Sequence, residues 1–217
     1  MKKVIQVPYI DQTKDYPTGC ESVSAVMLLR YLGIDVSVDG FIERYLEKEP
    51  MQQIEGRLYG PDPFCCFAGS PYDSESFGCY PPVIVQALNR VFAEKKPELS
   101  AIDITGMPME QILTDFLDQD MPIIFWASID LKETIVGPDW LLSDGSVFTW
   151  ISNEHCMLLV GYDEMSYYFN DPWHNHGCIA YPRKLVEQRH KEQRKMAAAV
   201  VTFHTRATHL LRGCGRT

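Results

Sequence analysis

HCMLLVGYDEMSYYFND, running from His155 to Asp171, is the stretch on which the fold of this 217-residue chain turns. His155 to Tyr162 and Tyr167 to Asp171 are apolar and aromatic enough for two strands, and Asp163-Glu164-Met165-Ser166 between them has turn chemistry. A hairpin centred near Asp163 and Glu164 pairs residues whose numbers sum to about 326, so His155 falls opposite Asp171 on one face. Side chains paired in this way have Cβ atoms about 5 Å apart, within reach of an imidazole hydrogen bond to a carboxylate. A slip of one residue on a single strand would turn the two side chains to opposite faces.

Working outward, Pro122 to Ala127, Ser146 to Ile151 and Ala197 to Phe203 read as further strands, with a helix from Leu185 to Met196. The first half has a different period. Cys20 to Leu32 places Val23, Val26, Met27 and Leu29 at helical spacing and is ended by Gly33. A second helix is expected from Asp39 to Lys48, with Asp39 as its cap and Pro50 as its stop. Helices from Pro82 to Glu94 and from Pro108 to Asp118 each open on a proline, which suits a first turn. Between Glu49 and Tyr80 periodicity gives way to Gly, Pro, Cys and aromatic residues, read as one long ordered loop over a cleft. Together these segments predict an α+β fold in two lobes, one domain over residues 1–204 followed by a tail over 205–217, with the site between the lobes.

Composition narrows the function. At 46% hydrophobic and 23% charged the chain buries a sizeable core, which excludes disorder. Twenty basic against 29 acidic residues give a net charge of −9 without a basic block, which excludes nucleic acid as a partner. No apolar run approaches the roughly 20 residues of a membrane helix. Gln6, Pro8 and Asp11 interrupt any export signal, so the chain as written reads as cytoplasmic, or as secreted or surface-attached if a leader is absent from it. Seven cysteines, an odd number that includes the adjacent Cys65-Cys66, do not make a closed disulfide framework. No Cys-x-x-Cys occurs, and neither a metal nor a cofactor is expected; His174-Asn175-His176-Gly177-Cys178 reads as a surface loop. The basic face from Arg183 to Lys195 reads as solvated, and Cys214, between two glycines, as exposed.

One constellation carries chemistry. Cys20 stands at a helix N-terminus, where the partial positive charge and a neighbouring imidazolium lower a thiol pKa from about 8.5. His155 and Asp171 supply a base and the group that orients it. Gln12, eight residues before Cys20, can donate an amide N–H to an oxyanion beside the Cys20 backbone N–H. Each has a plainer reading: a small buried thiol, a satisfied core histidine, an aspartate opening a turn before Pro172, a surface glutamine. Jointly they fill the places one mechanism requires.

The blocks Val7-Pro8-Tyr9-Ile10-Asp11-Gln12, Pro17-Thr18-Gly19-Cys20-Glu21-Ser22 and Tyr31-Leu32-Gly33 resemble the N-terminal half-site of papain-like cysteine peptidases related to the bacteriocin-processing, double-glycine leader peptidases. Gly69-Ser70-Pro71-Tyr72, Phe77-Gly78-Cys79-Tyr80, Asn153-Glu154-His155-Cys156, Val160-Gly161-Tyr162-Asp163 and Tyr168-Phe169-Asn170-Asp171-Pro172 resemble blocks of the stand-alone branch. The resemblance runs from about Val4 to Phe203. It implies a papain-like two-lobe fold, with an N-terminal helical lobe whose catalytic helix packs on a C-terminal antiparallel sheet. It implies Cys20 as nucleophile, His155 as general base, Asp171 as orienting residue, Gln12 in the oxyanion hole, and a peptide or protein substrate.

The chain also departs from those relatives. Transporter-linked peptidases carry a membrane domain and a nucleotide-binding domain, for which 217 residues leave no room, and no Gly-x-x-x-x-Gly-Lys-Ser/Thr loop is present. Cleavage after a double glycine therefore does not carry over. The same triad would equally serve an acyl transferase or isopeptidase. A non-catalytic peptide- or glycan-binding module is the rival from another class, with the aromatic loop Phe64 to Tyr80 and Trp126, Trp140, Trp150 and Trp173 as its surfaces.

Overall fold

A computed structural model describes residues 2–202; the end of the last expected strand at Phe203, the tail and Cys214 lie outside the described residues. In chain order the strands are β1 Lys3–Val4, β2 Lys48–Glu49, β3 Gln52–Ile54, β4 Arg57–Tyr59, β5 Phe67–Ala68, β6 Leu99–Asp103, β7 Ile123–Ser128, β8 Val136–Leu141, β9 Val147–Ile151, β10 Glu154–Tyr162, β11 Ser166–Asp171, β12 Gly177–Pro182 and β13 Ala197–Thr202. The α-helices are α1 Cys20–Tyr31, α2 Val38–Arg44, α3 Pro81–Lys95, α4 Met109–Asp115 and α5 Arg183–Glu192. The architecture is α+β.

Helix α1 is the organising element. Every residue from Cys20 to Leu29 is buried, because the helix is covered on all sides rather than along one stripe, and its small residues Ser22, Ser24 and Ala25 let strands approach closely. Gly33 ends it in a left-handed conformation (φ 73°) that other side chains resist. Helix α2 is shorter than expected: Ser37, not Asp39, is its cap, the Ser37 hydroxyl accepting the Gly40 N–H at 3.0 Å, and the helix stops at Arg44. Helix α3 begins on Pro81-Pro82 as expected, and Pro108 is the N-cap of α4.

The main sheet runs β12-β11-β10-β7-β13-β6, antiparallel throughout, with β1 beside β10. Strand β11 takes Gly161 and Tyr162 on one edge of β10, so β1 occupies the other edge, beyond the point at Leu159 where β7 ends. All six residues of β7 are buried, since helices cover both faces. Met27 of α1 reaches Asn170 on one face, and on the other the His190 ring of α5 stacks 3.9 Å from Phe125.

The hairpin register differs from the expected one. Tyr162 pairs with Tyr167 and Gly161 with Tyr168, but Leu159 pairs with Phe169 and Leu158 with Asn170, because Val160 forms a β-bulge. The bulge decides which side chains meet. In the register next to the turn, His155 and Asp171 would lie on opposite faces; the extra residue at Val160 restores the parity and puts both on one face as diagonal neighbours. The bulge is held from the β1 side by the Ile5 N–H, which donates to the Val160 carbonyl at 2.8 Å. Gly161 lies so close to Lys3 and Val4 that a Cβ there would collide with backbone.

Residues 49–80 are not one irregular loop. They contribute β3 and β4 to a second sheet, ordered β3-β4-β8-β9, and β5 to a parallel pair with β2. The aromatic residues of this region form a packed cluster in which Tyr80 stacks on Trp150 at 5.4 Å and Phe77 lies 4.9 Å from Trp140. Strands β6, β8 and β12 carry too little alternation to be read in advance, and each gains its place by pairing with a stronger neighbour.

Candidate active site

The site lies where β10 and β11 part. Pairing between them stops at Leu158 and Asn170, which leaves Cys156 with an N–H and a carbonyl facing the gap. Helix α1 fills it edge-on. The Cys156 N–H donates to Cys20 Sγ at 3.4 Å, and the Ser24 hydroxyl, one turn further along, donates to the Cys156 carbonyl at 3.3 Å. The i, i+4 spacing on α1 thus replaces two missing ladder bonds and fixes the Cys20 thiol against β10.

His155 and Asp171 are brought together. His155 Nε2 is 2.7 Å from Asp171 Oδ1, and each residue is about 1% exposed. Asp171 is further held by the Trp173 N–H on Oδ1 (3.0 Å), and by the Tyr181 hydroxyl (2.8 Å) and His176 Nδ1 (3.1 Å) on Oδ2. Burial pushes its carboxyl up, but the hydrogen bond and charge of His155, with these donors, outweigh burial and hold it well below the ordinary carboxylate range. With Nε2 engaged, the other ring nitrogen of His155 makes no hydrogen bond among the described residues. Tyr181 and His176 were not expected here; strand β12, unread from the sequence, delivers Tyr181, and the turn just before it delivers His176.

Cys20 has surroundings opposite to those expected. Its thiol donates to Glu21 Oε2 at 3.3 Å, and no hydrogen bond joins it to His155. Cys20, Glu21 and Glu154 are all buried, with one ligand atom of each within 4.8 Å of the others, and they are the group of this kind among the described residues that could hold a metal. Burial first, and then the charges of Glu21 and Glu154, push the Cys20 thiol well above its ordinary range, overriding the helix N-terminus. Burial also pushes Glu21 up to about 7, with the Cys79 N–H at 2.7 Å acting against it. The signal for both carboxylates was in the sequence: each is the charged residue adjacent to a proposed catalytic side chain.

Gln12 reaches the same cleft, its backbone anchored by the N–H bond to the Pro172 carbonyl at 2.9 Å. Its Nε2 donates to the carbonyls of Tyr16 (3.2 Å) and Pro17 (3.3 Å), and its Oε1 is buried without a partner among the described residues. The cleft, about 350 Å³, is lined by Gln12, Cys20 and His155 together with Phe77, Trp150 and Trp173. Trp126 and Trp140 are instead core residues.

The remaining sequence features resolve differently from expectation. His176 binds Asp171, and Cys178 is exposed on β12. The basic face of α5 is not simply solvated: Arg189 is buried on the Leu131 carbonyl, and Arg183 stacks over the Tyr167 ring at 4.7 Å. No helix among the described residues is long and apolar enough to cross a membrane.

Comparison with known proteins shows the family and the fold. The family model described as Peptidase_C39 like family matches residues 4–198. The uncharacterized protein YvpB of Bacillus subtilis is 27% identical over 155 residues, which are 71% of this chain and 58% of that protein; the chain thus spans little more than half the length of this curated relative. A crystal structure described as a C39-like peptidase, from Bacillus anthracis, superimposes with a TM-score of 0.80 at 24% identity, covering 93% of this chain and 98% of the other. It shares the fold. A double glycine motif protease from an AMS/PCAT transporter, solved with a leader peptide, gives a TM-score of 0.45 at 14% identity over 93% and 96% of the two chains.

Proposed function

Because the chain belongs to the Peptidase_C39 like family, we propose that it is a cysteine peptidase that hydrolyses a peptide or related amide through a thioester acyl-enzyme. Cys20 is the nucleophile, His155 the base that takes its proton and then gives it to the leaving amine, and Asp171 the group that orients the imidazole and supports its positive charge. The backbone N–H of Cys20, at the start of α1, is one oxyanion donor. Gln12 is the second. For that, one of its amide hydrogens turns from the Tyr16 or Pro17 carbonyl toward the cleft when substrate enters.

The observation that carries this reading is the buried 2.7 Å bond between His155 Nε2 and Asp171 Oδ1 at the edge of a cleft that Cys20 also lines. A carboxylate placed on Nε2 leaves Nδ1 for the nucleophile, and both nitrogens are then in use when the ring is charged. Rotation of the Cys20 side chain away from Glu21 completes the contact on substrate binding.

Hydrolysis of a peptide library, followed by mass spectrometry, tests the reading. Wild type should release products that Cys20→Ala and His155→Ala do not, and a Cys20→Ala protein that retains activity refutes it. Repeating the reaction with an added amine separates transfer from hydrolysis, since both pass through the same acyl-enzyme. Peptide binding without turnover by wild type would assign the cleft to a binding module.

A further inference from the structure

We propose that Glu21 and Glu154 share one proton at neutral pH and, as positioning residues, decide whether Cys20 stands as thiol or thiolate. This rests on the reading of Cys20 as nucleophile. The argument starts from an orphan: Glu154 Oε1 is buried and has no hydrogen-bond partner among the described residues. A carboxylate oxygen left so is costly, whereas a carboxylic acid there has a proton to give. The acceptor is at hand, since the Glu21 carboxylate lies with Cys20 Sγ and Glu154 inside a 4.8 Å group.

Glu21 is the member prepared for charge, with the Cys79 N–H on Oε1 and the Cys20 thiol on Oε2. Two carboxylates this close in a buried setting cannot both ionise without a cation. The groups facing the pair are Cys20 on α1, His155 and Cys156 on β10, and Cys79 and Tyr80 ahead of α3. The thiols and the phenol bring no positive charge. His155, which takes the Cys20 proton in the reaction, has its Nε2 on Asp171, and Arg194 stands off behind Tyr80, 6.0 Å from that ring. Gly78 covers the pair on one side: a Cβ there would meet Glu21 Oε1 at 2.5 Å and Glu154 Oε2 at 3.4 Å, so only glycine lets the backbone lie this close, while Glu154 also lines the cleft. Burial, followed by the Glu21 charge, raises the Glu154 carboxyl well above its ordinary range, in keeping with this geometry.

The consequence for chemistry is direct. When Cys20 ionises, its proton passes to His155, and the thiolate is left beside the pair. With the shared proton in place the thiolate faces one negative charge; once that proton leaves for solvent it faces two, all within 4.8 Å. The shared proton is therefore what permits the thiolate and imidazolium to coexist, and deprotonation of the pair drives Cys20 back to the thiol.

Infrared titration of the unmodified protein tests this without a variant. A carboxylic-acid C=O band should be present at neutral pH, and Glu154→Gln should remove it. In parallel, Cys20 alkylation by iodoacetamide in Glu154→Gln should match wild type near neutral pH, where each leaves one negative charge beside the thiolate. On the alkaline side, once the wild-type pair has lost its proton, Glu154→Gln and Glu21→Gln should exceed wild type by about tenfold, since each presents at most one charge. Near-UV circular dichroism confirms that each variant is folded. Absence of the acid band from wild type at neutral pH overturns the proposal, as do alkylation rates in both folded variants that stay within about threefold of wild type throughout the alkaline range. One-to-one zinc binding that Glu154→Gln abolishes, with no acid band in metal-free protein, would assign the cluster to a metal instead. An acid band together with a Cys20→Ala protein that still hydrolyses peptides keeps the shared proton and defeats the peptidase reading, so the two failures are distinguishable.

Discussion

Replacing Asp171 with Asn isolates the charge of the orienting carboxylate from its shape. The Asn carbonyl can keep the His155 and Trp173 N–H bonds now made to Oδ1, while its NH₂ meets the Tyr181 hydroxyl and His176 Nδ1, both able to accept. What is lost is the negative charge opposite the imidazolium. Hydrogen bonds to charged groups contribute about 1.5–3 kcal/mol against about 1 kcal/mol for neutral ones, so the ion pair weakens by about 2 kcal/mol at most. That corresponds to about a 30-fold slower alkylation of Cys20 near neutral pH, and a similar loss in kcat/KM on any substrate found. Stability follows with a defined sign. Because the Asp171 carboxyl is depressed in the folded protein, its carboxylate stabilises the fold above the unfolded value of about 3.9, and the contribution fades as pH falls below it. Urea unfolding should find Asp171→Asn less stable than wild type at pH 7, with the gap narrowing as pH falls below about 3.9. An alkylation rate changed by less than about threefold, or a stability gap that does not depend on pH, would refute the reasoning.

Three other outcomes are expected. Tyr181→Phe removes one donor from Asp171 Oδ2 and should cost about 1 kcal/mol in urea unfolding, with at most about a fivefold loss in Cys20 reactivity, because His176 remains. Gly161→Ala forces a Cβ into the β1 backbone and should destabilise by about 1–3 kcal/mol; a thermal midpoint equal to wild type would show that β1 does not brace the bulge. Trp150→Ala should cost about 3–5 kcal/mol and strip near-UV circular dichroism intensity, since the ring is buried and stacked on Tyr80.

Much of the site was legible along the chain. The helix that begins at Cys20 and ends by Gly33 follows from apolar spacing and a glycine stop, and β10 and β11 follow from two apolar runs around Asp163 to Ser166. The expected sum of 326 was off by two residues at the site end of the hairpin, yet an even error preserves the face, so His155 and Asp171 still meet. The position of the bulge was not legible, because it depends on β1, Ile5 and Gly161 meeting across more than 150 residues of sequence. Strands β3, β4 and β8 were missed because their pairing is with distant partners and their own alternation is weak.

By itself, then, the sequence determined the helix that begins at Cys20 and the two strands that carry His155 and Asp171, since helical and strand periods are properties of neighbouring residues, while the bulge that sets their shared face came from the tertiary structure. Only the tertiary structure decided the electrostatics. The helix N-terminus at Cys20 argues for a readily ionised thiol, but folding sets Glu21 and Glu154 beside it in a buried space, and burial with like charge reverses the sign. Desolvation depends on what closes over a group, and here that is β10, Gly78 and Cys79, none of which adjoins Cys20 along the chain.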